Sequence, residues 1–173
     1  MEVEQRLAAL GLELPTPAPP GGNYAWAVRA GSLLFLATHG PFESGAYVPR
    51  YRGKLGRDLD VDAGYQAARL ATLHLLATLR AELGDLDRVA RCVRMTSYVN
   101  AVDGLPDYYR ASDGATDLLV ALYGDRGRPA RASVAVADLP GGVPIALDLI
   151  VQVAARPRRR PAREQAREDG GGD

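Results

Sequence analysis

The chain has 173 residues, 21 Lys and Arg against 21 Asp and Glu, with 47% hydrophobic and 24% charged residues. Those values describe one ordinary folded domain and exclude a wholly disordered, collagen-like or membrane-bundle chain. The single cysteine, Cys92, excludes an intramolecular disulfide framework and a Cys-x-x-Cys site, and two histidines, His39 and His74, leave little from which to build a zinc site. No apolar run approaches the roughly 20 residues of a membrane span. No basic start followed by an apolar stretch marks a signal peptide. The expectation is a reduced, cytoplasmic protein without a metal.

In chain order, Glu2 to Leu10 places Val3, Leu7 and Leu10 on one side of a short amphipathic helix. Pro15 to Gly22 (PTPAPPGG) reads as a stiff, extended connector. Asn23 to Arg29 and the apolar run Ser32 to Thr38 read as two strands joined at Ala30-Gly31, a hairpin. His39 to Arg57 is rich in Gly, Pro and Tyr and reads as a long loop with an edge strand near Tyr47. Val61 to Leu83 is the clearest helix, with Val61, Tyr65, Ala68, Thr72, Leu75, Leu76, Leu79 and Leu83 at 3.6-residue spacing. Asp60 is placed to cap it and Gly84 to stop it.

Val89 to Val99 alternates as a strand, which puts Met95 on one face and Cys92 on the other. Asp103 to Tyr123 is a second helical stretch ended by Gly124, and Ala132–Ala137 and Val143–Ala154 are the last strands. The order predicts an α+β domain, a mixed sheet with two helices packed on one face. The expected organisation is a helix and lead-in over 1–14, a domain over 15–155 and a disordered tail over 156–173. That tail holds 6 of the 21 basic and 4 of the 21 acidic residues and no apolar side chain larger than Ala or Pro. The remainder is 15 basic against 17 acidic, which argues against a dedicated nucleic-acid binder.

No P-loop, Gly-x-Gly-x-x-Gly or Ser-His-Asp set is present. Cys92 sits mid-strand among apolar neighbours and reads as a packed thiol. Arg131 opens an apolar strand; it is either salt-bridged at the strand end or a planar fork for a carboxylate. Asp148 is a polar-face residue or a general acid or base. His39 directly follows a buried strand and is structural or catalytic, while His74 on the helix flank reads as structural.

Four stretches then carry a resemblance spanning residues 15–155. They are Gly22-Asn23-Tyr24-Ala25, Leu34-Phe35-Leu36-Ala37-Thr38-His39-Gly40, Leu83-Gly84-Asp85-Leu86-Asp87-Arg88-Val89-Ala90-Arg91, and Pro129-Ala130-Arg131-Ala132-Ser133-Val134 followed by Leu139-Pro140. In these the chain resembles the Rid (YjgF-type) proteins, the reactive-intermediate deaminases also labelled endoribonuclease L-PSP, in a divergent branch. The resemblance implies a chorismate-mutase-like fold, a homotrimer with ligands in clefts between subunits, and hydrolysis of small carboxylated enamines and imines to 2-keto acid and ammonia without a cofactor. It implies that Arg131 clamps the substrate carboxylate and that Tyr24, Thr38, Ser133 and Asp113 line the pocket, Asp113 standing where the family has an asparagine. The glutamate that orients the attacking water in that family is matched by Ala146, with Asp148 two residues on, so His39 or Asp148 is left to handle the proton. The competing readings are a non-catalytic trimer binding a small carboxylate and a ribonuclease, the latter disfavoured by the acidic body.

Overall fold

The computed structural model describes residues 2–155; the tail expected to be disordered lies outside the described residues. The elements are α1 (Glu2–Ala9), β1 (Ala27–Ala30), β2 (Leu33–His39), α2 (Val61–Leu83), β3 (Val89–Asn100), α3 (Asp113–Tyr123), β4 (Ala130–Val136) and β5 (Ile145–Val153). The five strands form one sheet in the order β1-β2-β5-β3-β4. β1 and β2 pair antiparallel as the expected hairpin, while β3 and β4 are parallel, with α3 in the crossover. This is the α+β architecture of a mixed sheet with helices on one face, with α1 as a third helix.

α2 forms where the apolar spacing predicts it. The Asp60 carboxylate accepts the Ala63 N–H at 2.7 Å, and Gly84, at φ +76°, ends the helix with its N–H donated to Arg80 O. Nine consecutive residues, Ala71 to Leu79, are buried, because neighbours cover the helix beyond its sheet-facing stripe. α3 approaches α2 so closely that a Cβ on Gly114 would lie 2.1 Å from Tyr65 O, and one on Gly64 would lie 2.9 Å from the Ala111 Cβ. Glycine at 114 therefore sets where the first turn of α3, including Asp113, can sit. α1 joins the same core through Val3 and Leu7, and Asp87 accepts the Glu2 and Val3 N–H groups.

Two expectations are corrected. The loop after β2 contains no strand at Tyr47, only an isolated bridge between Phe42 and Pro49. It is tied down farther on by Lys54, whose Nζ donates to Asn100 Oδ1 and to the carbonyls of Ala101 and Ala137. Strict alternation in β3 fails as well: Cys92 and Met95 are both buried, and Val93 and Arg94 between them are both exposed. The register against β5 shifts between Cys92 and Arg94, a β-bulge that returns Cys92 to the core side. Cys92 is the packed thiol expected of it; burial pushes its pKa up to about 12.

Register assigns the faces. Residues directly opposite in adjacent strands share a face. Leu147, Leu149, Val151 and Met95 point into the core under the helices, and Phe35, Ile150, Thr96 and Asp148 point to the uncovered side.

Candidate functional site

Arg131 is paired with Met95 across β3–β4, so its side chain leaves the sheet on the helix-covered side. It reaches the first turn of α3. Nη1 donates to Asp113 Oδ1 at 2.7 Å and to Thr116 Oγ1 at 3.1 Å. Asp113 and Thr116 stand three apart on α3, spacing that puts both on one helix face. Two residues along β4, Ser133 keeps the same side, donating from Oγ to Ser112 Oγ at 3.0 Å, while its carbonyl accepts the Tyr108 hydroxyl. Arg131, Ser133 and Asp113, named separately from the sequence, therefore form one corner. Nη1 uses both of its hydrogens there. The edge made by Nε and Nη2 has no partner among the described residues, and the side chain is 24% exposed. That edge is the fork that takes a carboxylate with two parallel hydrogen bonds.

Asp148 lies elsewhere. It is opposite Thr96 across β3–β5, on the uncovered face, where its carboxylate accepts the Thr96 N–H at 3.2 Å and the Tyr98 hydroxyl at 3.0 Å. Thr38 is exposed beside it, and with Phe35, Arg94, Thr96 and Ile150 they line a shallow cleft of about 420 Å³. Arg131 and Asp148 cannot act together within one chain, because the sheet separates them. Ala146, opposite Tyr98, shares the Asp148 face and offers no functional group.

His39 does not reach either place. The register shift between Leu36 and His39 turns its ring under the helices, where it is 5% exposed. Nδ1 donates to Ala37 O at 2.7 Å, which leaves Nε2 to accept the Thr78 hydroxyl at 2.8 Å. Trp26 covers the ring at 4.4 Å between centroids. Burial lowers the His39 pKa to about 4, against the raising effect of the Ala37 carbonyl, with His74 lowering it further. The imidazole is thus neutral, with both nitrogens occupied, and the proton-handling role considered for it is not supported by its surroundings. His74 is structural as read, with Nε2 donating to Phe42 O. The adjoining cavity, lined in part by Trp26, Phe42 and Tyr47, has about 20 Å³ of free space, room for a single water. Tyr24 is half-exposed, packs edge-on to Trp26, and accepts the Gly21 N–H at its hydroxyl.

The sequence-named residues therefore fall into three groups: Arg131, Asp113 and Ser133 at the β4–α3 corner, Thr38 and Asp148 on the uncovered face, and Tyr24 and His39 near the start of the sheet. Thr116 and Thr78 were missed. Each is a helical hydroxyl whose sequence gives no sign of the strand residue it meets, although the i, i+3 spacing from Asp113 to Thr116 was visible. No group of three or more His, Cys, Asp or Glu residues suited to a metal occurs among the described residues. No helix among them is long and apolar enough to cross a membrane.

Comparison with known proteins places this arrangement. Residues 4–147 match the family model described as "YjgF/chorismate_mutase-like, putative endoribonuclease". The chain belongs to the YjgF (Rid-type) family. Protein TCP17 of Trypanosoma cruzi is 35% identical over 152 residues, covering 87% of this chain and 94% of that protein. A solved Shewanella oneidensis structure, named a "putative endoribonuclease", is 34% identical over 88% of this chain and all of its own, with a TM-score of 0.84. The Agrobacterium tumefaciens protein Atu1372, of unknown function, is 34% identical over 88% of this chain and 92% of its own, at 0.81. More distant, and a guide to the fold alone, is Escherichia coli TdcF with bound serine. It is 21% identical, with 82% of this chain and 96% of that chain covered and a TM-score of 0.56. Membership of the YjgF family and the chorismate-mutase-like fold are thus established together.

Proposed function

We propose that this YjgF-family chain is a hydrolase of small carboxylated enamine or imine intermediates, releasing 2-keto acid and ammonia. The observation that carries the reading is the free Nε–Nη2 edge of Arg131, oriented by Asp113 and Thr116 and partly open to solvent. A guanidinium held in this way binds a ligand carboxylate in one orientation and brings the neighbouring carbon into reach of water. Water adds to the C=N carbon, the C–N bond of the resulting carbinolamine breaks, and the nitrogen leaves as ammonia after taking a proton. The serine seen bound in the distant relative TdcF is a small carboxylated amine, which agrees with this ligand class.

The second half of the proposal concerns assembly. The sheet ends in two different free edges, β1 on one side and β4 on the other. β2 and β4 are three strand spacings apart, about 14 Å. Unlike surfaces joined head to tail give a ring where the rotation closes and an open filament where it does not. A homotrimer, the assembly that the family resemblance implies, is what would let the β4–α3 corner of one subunit meet the Thr38–Asp148 patch of the next. Arg131 then positions the substrate and Asp148 exchanges the proton, since His39 has no free ring nitrogen. The product is a small 2-keto acid, and the reaction calls on no cofactor. The separation of Arg131 from Asp148 within one chain also favours a second reading, a non-catalytic trimer that binds a small carboxylate.

The two readings part in one assay. An amino-acid oxidase generates 2-imino acids, semicarbazide traps them, and the protein competes with the trap. Wild type should suppress the trapped product and Arg131→Ala should not. Saturable carboxylate binding without suppression would favour the non-catalytic reading. Suppression by Arg131→Ala equal to wild type would refute the site.

A further inference from the structure

Asp113 does more at this corner than orient a guanidinium. Its Oδ1 accepts from Arg131, its Oδ2 has no hydrogen-bond partner among the described residues, and its side chain is 41% exposed. A ligand carboxylate on the Nε–Nη2 edge would therefore share one cation with a resident carboxylate. The pair Arg131–Asp113 is already neutral, so a plain anion arrives at a site with no net attraction and a like charge on the adjacent side of the guanidinium. A ligand with a protonated nitrogen beside its carboxylate meets neither penalty: its carboxylate takes the fork, and its nitrogen faces the remaining carboxylate oxygen.

A second observation points the same way. On the other side of Asp113 opens a cleft of about 750 Å³ whose charged lining is Asp60, Asp62, Asp113 and Asp117 against Arg110 alone. Asp60 also caps the helix and Asp117 also accepts the Tyr65 hydroxyl, and both carboxylates line the opening. Arg131 does not line that cleft, but Asp113 is common to both, so the cleft adds negative potential on the side of Asp113 and favours a cationic group there.

We infer that Asp113 is a specificity-determining residue, selecting carboxylates that carry a cationic nitrogen on the adjacent carbon (amino acids and protonated imino acids) over carboxylates that do not. The inference rests on the carboxylate-clamp reading of Arg131 and adds a charge rule to it. In a hydrolytic cycle the rule has a direction. The imino acid enters with its positive nitrogen, and the 2-keto acid, which has lost it, is disfavoured at the same site and leaves.

L-alanine and L-lactate test this, since they differ at the adjacent carbon only by ammonium against hydroxyl. Binding of each is measured by NMR titration of the full-length protein for wild type, Asp113→Asn, Asp113→Glu and Arg131→Ala. Asparagine at 113 retains an acceptor for Arg131, so the corner keeps its shape. Wild type should prefer alanine by about tenfold or more, the range of one well-placed charge pair. Asp113→Asn should bring the two affinities within about threefold, chiefly by a gain for lactate, as expected when a resident like charge is removed. Asp113→Glu should restore the preference, and Arg131→Ala should lose both ligands. An unchanged alanine-to-lactate ratio in Asp113→Asn, with binding still lost in Arg131→Ala, would overturn the charge rule and leave the clamp standing. Unchanged binding in Arg131→Ala, or no saturable binding of either probe to wild type, would overturn the clamp, and the charge rule with it.

Discussion

The Arg131 corner and the His39 corner are built alike and end differently. Both put a nitrogen-bearing side chain from a strand against a threonine on a helix, Thr116 of α3 in one case and Thr78 of α2 in the other. At His39 two nitrogens meet two partners, and Trp26 seals the ring from solvent. At Arg131 one nitrogen meets two partners, and a fork of two more is left over beside the opening. Availability for chemistry thus follows from counting polar atoms against partners, together with exposure. By that count the histidine is a structural group and the arginine a binding group, although the sequence presents both as polar residues at the end of an apolar strand.

The sharpest way to break the Arg131 corner without touching a polar atom is Gly114→Ala. The new methyl would collide with the Tyr65 carbonyl and push the first turn of α3 away from α2, which shifts Asp113 and Thr116 relative to Arg131 on β4. Overpacking of this kind costs about 1–3 kcal/mol, more where backbone is the obstacle. A fall in the urea midpoint together with loss of alanine binding would mark the coupling; a fall in stability alone would show that the corner tolerates the shift.

At the other corner, Thr78→Val removes the hydroxyl that satisfies His39 Nε2 and leaves a buried acceptor unpaired. The expected cost is about 1–3 kcal/mol by denaturant unfolding, with alanine binding at the distant Arg131 unaffected.

Acid should act on the same corner. The folded His39 titrates near 4 against an ordinary value of 6.5, and burial lowers His74 as well. The unfolded chain therefore binds more protons as pH falls below 6.5, and His39 makes stability decline between 6.5 and about 4, by at most about 1.4 kcal/mol per pH unit. Unfolding of wild type and His39→Asn across that range isolates this contribution, since the variant should show a shallower decline. Equal slopes would show that His39 is not the group that titrates.

The smallest effect has the opposite sign. Ser97 is fully buried, and its hydroxyl has no hydrogen-bond partner among the described residues. Ser97→Ala relieves that desolvation and should be neutral or stabilising by up to about 1 kcal/mol; a clear loss of stability in a melting curve would reveal a partner for the hydroxyl.

Much of this architecture was legible beforehand because local rules were obeyed. α2 carries its 3.6-residue stripe, cap and stop in local signals that need no tertiary information. The Pro-Ala-Arg stretch marked β4 and its arginine. What was not legible came from pairing. The bulges that return Cys92 to the core and turn His39 beneath Trp26 are settled between strands, and nothing in their own segments announces them. The faces of Arg131 and Asp148 depend on register with β3, so two residues expected to cooperate stand on opposite sides of the sheet. The partnership of Arg131 with Asp113 spans 18 residues and relies on Gly114 to bring α3 close.

The most direct test of the central claim observes the free edge of Arg131 itself. The Nε–H resonance of Arg131, assigned by its absence in Arg131→Lys, is followed in a ¹⁵N-labelled sample as L-alanine is added. The account predicts a saturating shift of that resonance, with smaller changes at Asp113 and Ser133. An Nε–H signal that stays fixed while alanine binds elsewhere would contradict it.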